Sequence, residues 1–245
     1  MNKIIINANG YSLKGRFYGF VDKINPRPAL IFFCGWNPGS ISWTFSDIYA
    51  VICSRKSNFI CLTVALRGMG SKGDINVLTR SDFLDDVISA YDFLASHESV
   101  DKERISVIGE SFGAYMACLL SAKRHLNNLI LRVPTDFPNE GFSEMPQKKF
   151  VGALSMDWKS QKHQPNESFA LEAVHNFENN IFIIASENDK IVPYQTTKNY
   201  LASISDSKKV EYILMKNAGH ALINPLKQYE FIKILFGIIN KYEVK

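Results

Sequence analysis

The 245-residue chain has only four cysteines, Cys34, Cys53, Cys61 and Cys118, and none of them forms a C-x-x-C pair or alternates with histidine at ligand spacing. Neither a disulfide framework nor a zinc site is implied, and a reducing cytoplasm is the expected compartment. No apolar run approaches the ~20 residues that span a bilayer. The three isoleucines before Asn7 are too short a core for a secretory signal. Charge of one sign is lacking too. The 28 basic and 24 acidic residues are scattered to a net +4, with no arm or stripe that tracks phosphates, so nucleic acid is not an expected partner. There is no internal repeat and no low-complexity tract. The length suits one large core and is too short for two with a linker, so a single domain over residues 1–245 is expected.

What the chain does have is a series of short apolar runs. They lie near 3–7 and 13–20, then at "ALIFFC" (29–34), "FICLTV" (59–64), "ISVIG" (105–109), "NLILRV" (128–133), "IFIIAS" (181–186) and "VEYILM" (210–215). Most are continuously apolar, as strands covered on both faces of a parallel sheet must be. Helical spacing falls between them, at about 44–55, 81–96, 112–122, 194–203 and 226–242. In the second of these, Phe83, Val87, Tyr91 and Leu94 recur behind Ser81, a candidate cap. Two hairpin-like strands followed by this alternation predict an α/β fold with an eight-stranded, mostly parallel sheet and helices on both faces. Residues 134–177 interrupt the alternation with four prolines and bulky apolar side chains. They read as a small cap insertion whose Phe142, Met145, Phe150 and Trp158 are candidate substrate-binding residues.

The chemistry centres on "GESFG" (109–113), placed where a strand runs into a helix. Glycines two before and two after Ser111 allow a sharp turn that raises its Oγ into the open, and the helix behind points unpaired N–H groups at any oxyanion formed there. Ser111 could equally be a helix cap; what favours a nucleophile is the rest of the chain. A serine hydroxyl needs a base, and the base needs a carboxylate. "ENDKIVP" puts Asp189 after one later strand, and "KNAGHAL" puts His220 after the last. Glu187 and Asp136 compete for the acid role, but the two further loop residues favour Asp189. His97 and His125 sit at helix ends, and His163 and His175 fall in the cap. For the oxyanion hole the expected backbone donors are the N–H groups of Phe112 and, from "CGWNPGS" (34–40), of Trp36. The glycine-rich "LRGMGSKGD" (66–74) lacks P-loop spacing and reads as a structural turn, with Arg67 pairing internally.

Taken together, "GESFG", "ENDKIVP", "NAGH" and the "CGW" and "RGMG" loops resemble the α/β-hydrolase superfamily from Ala29 to about Asn240. The tract "VDKERISVIGESFGAYMA" looks most like dienelactone-hydrolase-like, prolyl-oligopeptidase-like and feruloyl-esterase-like serine hydrolases. Two positions depart from that pattern: Cys34 stands where relatives often carry histidine, and Ser111 replaces the cysteine nucleophile of dienelactone hydrolases proper. There is also no added β-propeller. The resemblance implies a serine hydrolase cleaving a small-molecule carboxylic ester through an acyl-enzyme, with no metal or organic cofactor. A thioesterase, acyltransferase or small-peptide hydrolase would use the same groups. A non-catalytic binding protein on the same fold is the reading from another class. The pattern leaves oligomeric state open.

Overall fold

The computed structural model describes residues 1–36, 41–150, 152–206 and 209–243. Its centre is an eight-stranded sheet in the order β1-β2-β4-β3-β5-β6-β7-β8. The strands are β1 (Asn2–Ala8), β2 (Tyr11–Tyr18), β3 (Arg27–Phe33), β4 (Ile60–Ala65), β5 (Val100–Glu110), β6 (Asn128–Arg132), β7 (Asn180–Ser186) and β8 (Val210–Met215). β1 and β2 form an antiparallel hairpin joined antiparallel to β4, and every pairing from β4 through to β8 is parallel. The expected eight-stranded, mostly parallel α/β fold is what the chain adopts.

The continuous apolar runs are explained by burial on two sides. Alternate residues of one strand face opposite ways. Ile31, Phe33, Val107, Leu129, Leu131, Ile181 and Ile183 pack in one core with Phe83, Tyr115, Leu171 and Tyr200. Leu30, Phe32, Ile108, Ile130, Phe182 and Ile184 pack in another with Tyr49, Phe231 and Leu235. The first core is covered by α2 (Arg80–Ala95), α3 (Phe112–Ser121), α5 (Phe169–His175) and α6 (Tyr194–Ser203), the second by α1 (Ile41–Lys56) and α7 (Pro225–Glu243). Among the described residues, no helix is long and apolar enough to cross a membrane.

Two local expectations change. The cap of α2 is Thr79, not Ser81: Thr79 Oγ1 accepts the Asp82 N–H and Asp82 Oδ2 accepts the Thr79 N–H at 2.8 Å, a reciprocal capping box. The segment 134–177 is also not all insertion. Its last helix, α5, buries Ala170, Leu171 and Val174 in the first core, because β6 and β7 are parallel neighbours and need a crossover covering one face of the sheet. The part outside the sheet layers is a 3-10 turn at Gln147–Phe150, the helix α4 (Ala153–Ser160) and a second 3-10 turn at Pro165–Glu167.

Arg67, as expected, pairs internally. Its Nε lies 2.6 Å from Asp86 Oδ1, and both side chains are buried. Its backbone N–H donates to Asp86 Oδ2 at 2.8 Å, so this carboxylate ties the "RGMG" turn to α2.

Candidate active site

β5 delivers Ser111 and explains why glycine must flank it. A Cβ on Gly109 would stand 2.4 Å from the Ala114 Cα, and one on Gly113 would stand 2.1 Å from the Phe33 carbonyl oxygen. The elbow therefore closes only because helix α3 can press directly on the ends of β5 and β3. Ser111 itself takes φ 53° and ψ −113°, strained for a residue with a side chain. It occupies the cap position of α3, yet its side chain caps nothing. Its N–H donates to the Arg132 carbonyl at 2.9 Å, and its own carbonyl accepts the Ala114 N–H at 3.0 Å.

The hydroxyl is committed instead to a histidine. His220 Nε2 lies 3.0 Å from Ser111 Oγ, and His220 Nδ1 lies 2.8 Å from Asp189 Oδ2. The other Asp189 oxygen accepts the N–H groups of Ile191 and Val192 at 2.8 and 2.9 Å. Burial pushes the Asp189 pKa up, but the His220 ring and those two backbone donors outweigh it and hold the carboxyl below its usual range. An ionised carboxylate can only accept. Nδ1 must then carry the proton, which leaves the Nε2 lone pair facing the serine hydroxyl.

The competing acids are engaged elsewhere. Asp136 is buried, accepts the Trp158 indole N–H at 3.1 Å and the Ser168 hydroxyl, and burial pushes its pKa up. Glu187 accepts the Asn217 N–H at 2.7 Å, and Asn188 N–H donates to the Ala218 carbonyl at 2.8 Å. These two bonds stitch the loop after β7, which carries Asp189, to the loop after β8, which carries His220. Of the other histidines, His97 stacks on Phe17, His163 stacks on Trp158, and His175 bonds the Ser203 carbonyl.

The loop after β3 runs against the serine, with a Cβ built on Gly35 standing 3.2 Å from Ser111 Cβ. The Trp36 ring meets Phe112 edge to face at 5.3 Å. Phe112 opens α3, where an N–H has no acceptor within the helix. The rest of that loop, Asn37 to Ser40, lies outside the described residues. Burial pushes the Cys34 thiol in the same loop up to about 12, with Glu110 adding to the effect, so it is no competing nucleophile near neutral pH.

The four cap residues separate. Trp158 is anchored to Asp136 through its N–H. Phe150 lies under the buried Arg80 guanidinium, 4.3 Å from it, and Met145 folds back over Gly141. Phe142 is not brought to Ser111: it lines a cavity of about 660 Å³ with Leu84, Leu119, Phe169 and Phe177, and none of Ser111, Asp189 or His220 lines it. The neighbouring Lys159 is buried with its ammonium 5.2 Å from the Phe137 ring centre. Burial lowers its pKa to about 8 against the pull of Asp136 and Asp189.

Glu110 and Arg132 belong to the site although no motif marks either of them. Arg132 is fully buried and bonds Glu110 Oε1 at 2.6 Å on one side and the His220 carbonyl at 2.6 Å on the other. The lone charge within the apolar run "NLILRV" is the available signal, since a buried cation needs an internal partner.

The profile of the prolyl oligopeptidase family matches residues 43–242. Among curated proteins the sequence finds no match. Solved structures share the fold at low identity. Apo esterase 2 of Thermogutta terrifontis is 18% identical with a TM-score of 0.73, covering 98% of this chain and 94% of that one. An alpha-beta serine hydrolase homologue from Coxiella burnetii is 17% identical at 0.67, covering 97% of each chain. Est1E from Butyrivibrio proteoclasticus, solved with ferulic acid bound, is 15% identical at 0.70, covering 95% of this chain and 97% of that one. These likenesses establish the α/β-hydrolase fold.

Proposed function

The chain belongs to the prolyl oligopeptidase family, and from that membership together with the contacts of Ser111 we propose that it is a serine hydrolase cleaving a small carboxylic ester. The observation that carries the reading is His220, whose two ring nitrogens lie within hydrogen-bond reach of Ser111 Oγ and Asp189 Oδ2. Ser111 Oγ attacks the substrate carbonyl carbon while its proton passes to His220 Nε2. The carbonyl π pair moves to oxygen, where the N–H groups of Phe112 and Trp36 hold it. Asp189 stabilises the imidazolium. The C–O bond to the alcohol then breaks, the alcohol leaves with the proton from His220, and water releases the acyl group from Ser111 by the same steps in reverse.

An ester rather than a peptide is favoured by the esterases among the structural neighbours and by the aromatic surroundings of Trp36 and Phe112. The family match supports a second reading, a short-peptide hydrolase, because the same groups perform acyl transfer on either leaving group. The four free thiols, all buried, support a reducing cytoplasm as its compartment.

The test is Ser111→Ala with p-nitrophenyl esters and a fluorophosphonate probe. Wild type is expected to label at Ser111 and turn over ester, and the variant to do neither while keeping its melting temperature. Undiminished turnover in the folded variant would refute the proposal. A panel of esters, thioesters and short peptides then separates the two substrate readings.

A further inference from the structure

Ser111 and His220 are 109 residues apart in sequence, yet their side chains meet within 3.0 Å. The loop carrying His220 hangs from β8, which among the described residues pairs with β7 on one side only. Ser111 and the His220 loop both bond to Arg132, the last residue of β6. Its backbone carbonyl accepts the Ser111 N–H at 2.9 Å. Its guanidinium donates through Nη2 to the His220 carbonyl at 2.6 Å and the Gly219 carbonyl at 3.3 Å. The opposite corner, Nη1, is held by Glu110 Oε1 at 2.6 Å, from the residue immediately before the nucleophile.

We propose that Glu110 and Arg132 are a positioning pair that sets the reach of His220 to Ser111, an inference that rests on the functional reading above. A fully buried guanidinium needs a counter-charge, and Glu110 supplies it from the nucleophile's own strand. The planar fork is required because one arm must grip Glu110 while the other grips the base loop. A lysine ammonium carries the same charge from a single point and cannot hold both in that geometry. Glu110 acts through Arg132, and Arg132 through the peptide carbonyls beside the base.

The consequence is specific. With the pair broken, stability falls, and in the molecules that still fold the base stands off from the hydroxyl. A displacement of about 1 Å in a reacting pair lowers turnover by about 10²-fold. The experiment uses the full chain with Glu110→Ala, Glu110→Gln and Arg132→Lys, measuring kcat and KM on a p-nitrophenyl ester per site titrated by a fluorophosphonate, so that misfolded molecules drop out. Expected is a fall in kcat of about 10²-fold for Glu110→Ala and Arg132→Lys with KM within about twofold, and recovery of most of that loss in Glu110→Gln, whose amide oxygen still accepts from Nη1. A purely structural role would lower the melting temperature and the titratable fraction while leaving kcat per titrated site at the wild-type value, and that result overturns the proposal. If Arg132→Lys fails to fold, the two Glu110 variants decide alone. Wild type that neither labels nor turns over would overturn the functional reading and this inference together. Normal labelling with unchanged kcat in Glu110→Ala would overturn this inference only.

Discussion

Replacing Asp189 by asparagine changes one atom in a group whose two oxygens have separate duties. Oδ1 holds the Ile191 and Val192 N–H groups, and an asparagine oxygen can keep both, so the loop retains its shape. The new NH2 then lies where Oδ2 faced His220 Nδ1 at 2.8 Å. An amide NH2 only donates, so Nδ1 must become an acceptor and the ring proton moves to Nε2. There it points at Ser111 Oγ, 3.0 Å away, and the base has no lone pair for the hydroxyl proton. Loss of the correct tautomer in such a triad lowers kcat by roughly 10⁴-fold. At 1.36 kcal/mol per factor of ten, this is about 5 kcal/mol of transition-state stabilisation. Asp136→Asn is the control. Its oxygens accept the Trp158 indole N–H and the Ser168 hydroxyl; an amide can keep its oxygen on the indole and turn its NH2 to the hydroxyl, which can also accept, so the expected stability cost is about 1 kcal/mol with little change in kcat. Steady-state kinetics on a p-nitrophenyl ester, with thermal melts of both variants, separate the outcomes. A loss under tenfold in Asp189→Asn, or a larger kcat loss in a folded Asp136→Asn, would refute the assignment of the acid.

Three further outcomes follow from the packing of α2, α3 and α4. Gly113→Ala forces a Cβ to 2.1 Å from the Phe33 carbonyl oxygen, a backbone atom that cannot swing away, so it should destabilise by about 3 kcal/mol. For a domain of this size that lowers Tm by roughly 6–12 °C in a thermal melt, and an unchanged Tm would show that β3 and α3 are not in contact there. Thr79→Ala removes one half of the capping box and should cost about 1 kcal/mol by denaturant titration; no change would place the start of α2 elsewhere. For Lys159 the sign is set by burial, which lowers its folded pKa to about 8 from the ordinary 10.5. Below about 8 both folded and unfolded chains hold the proton and the whole penalty applies. Between about 8 and 10.5 only the unfolded chain holds it, so the penalty fades as pH rises. Lys159→Met should therefore be more stable than wild type by up to roughly 3 kcal/mol at pH 7, with the difference vanishing toward pH 10.5. Equal stability across that range would show the amine to be hydrated.

The strands of the parallel sheet were legible because burial on both faces demands unbroken apolar runs, as in "ALIFFC" and "IFIIAS". The order Ser111, Asp189, His220 was legible for a related reason: parallel strands end on one side, so loops far apart in sequence gather there. Helix α5 was hidden in the expected cap because seven residues are too few to display a period. Thr79 was passed over for Ser81 because both are good caps, and only the Asp82 side chain reaching back selects between them. Phe142 has the type of a pocket residue and does line a cavity, beside Leu119 and Phe177, but type carries no direction, and that cavity is not lined by Ser111, Asp189 or His220. The tie from Glu110 through Arg132 to His220 spans separations of 22 and 88 residues, which no local pattern encodes.

The sheet's edge has a consequence for how the protein would fail. Ser111 sits at the end of β5, which is paired on both sides, whereas His220 follows β8, whose outer edge is unpaired among the described residues and whose strand is only partly buried. Edge elements open locally at lower free energy than the centre of a sheet. Gentle warming or a little urea would then silence the enzyme while its circular-dichroism spectrum still looked native, and cooling would restore it without refolding the core.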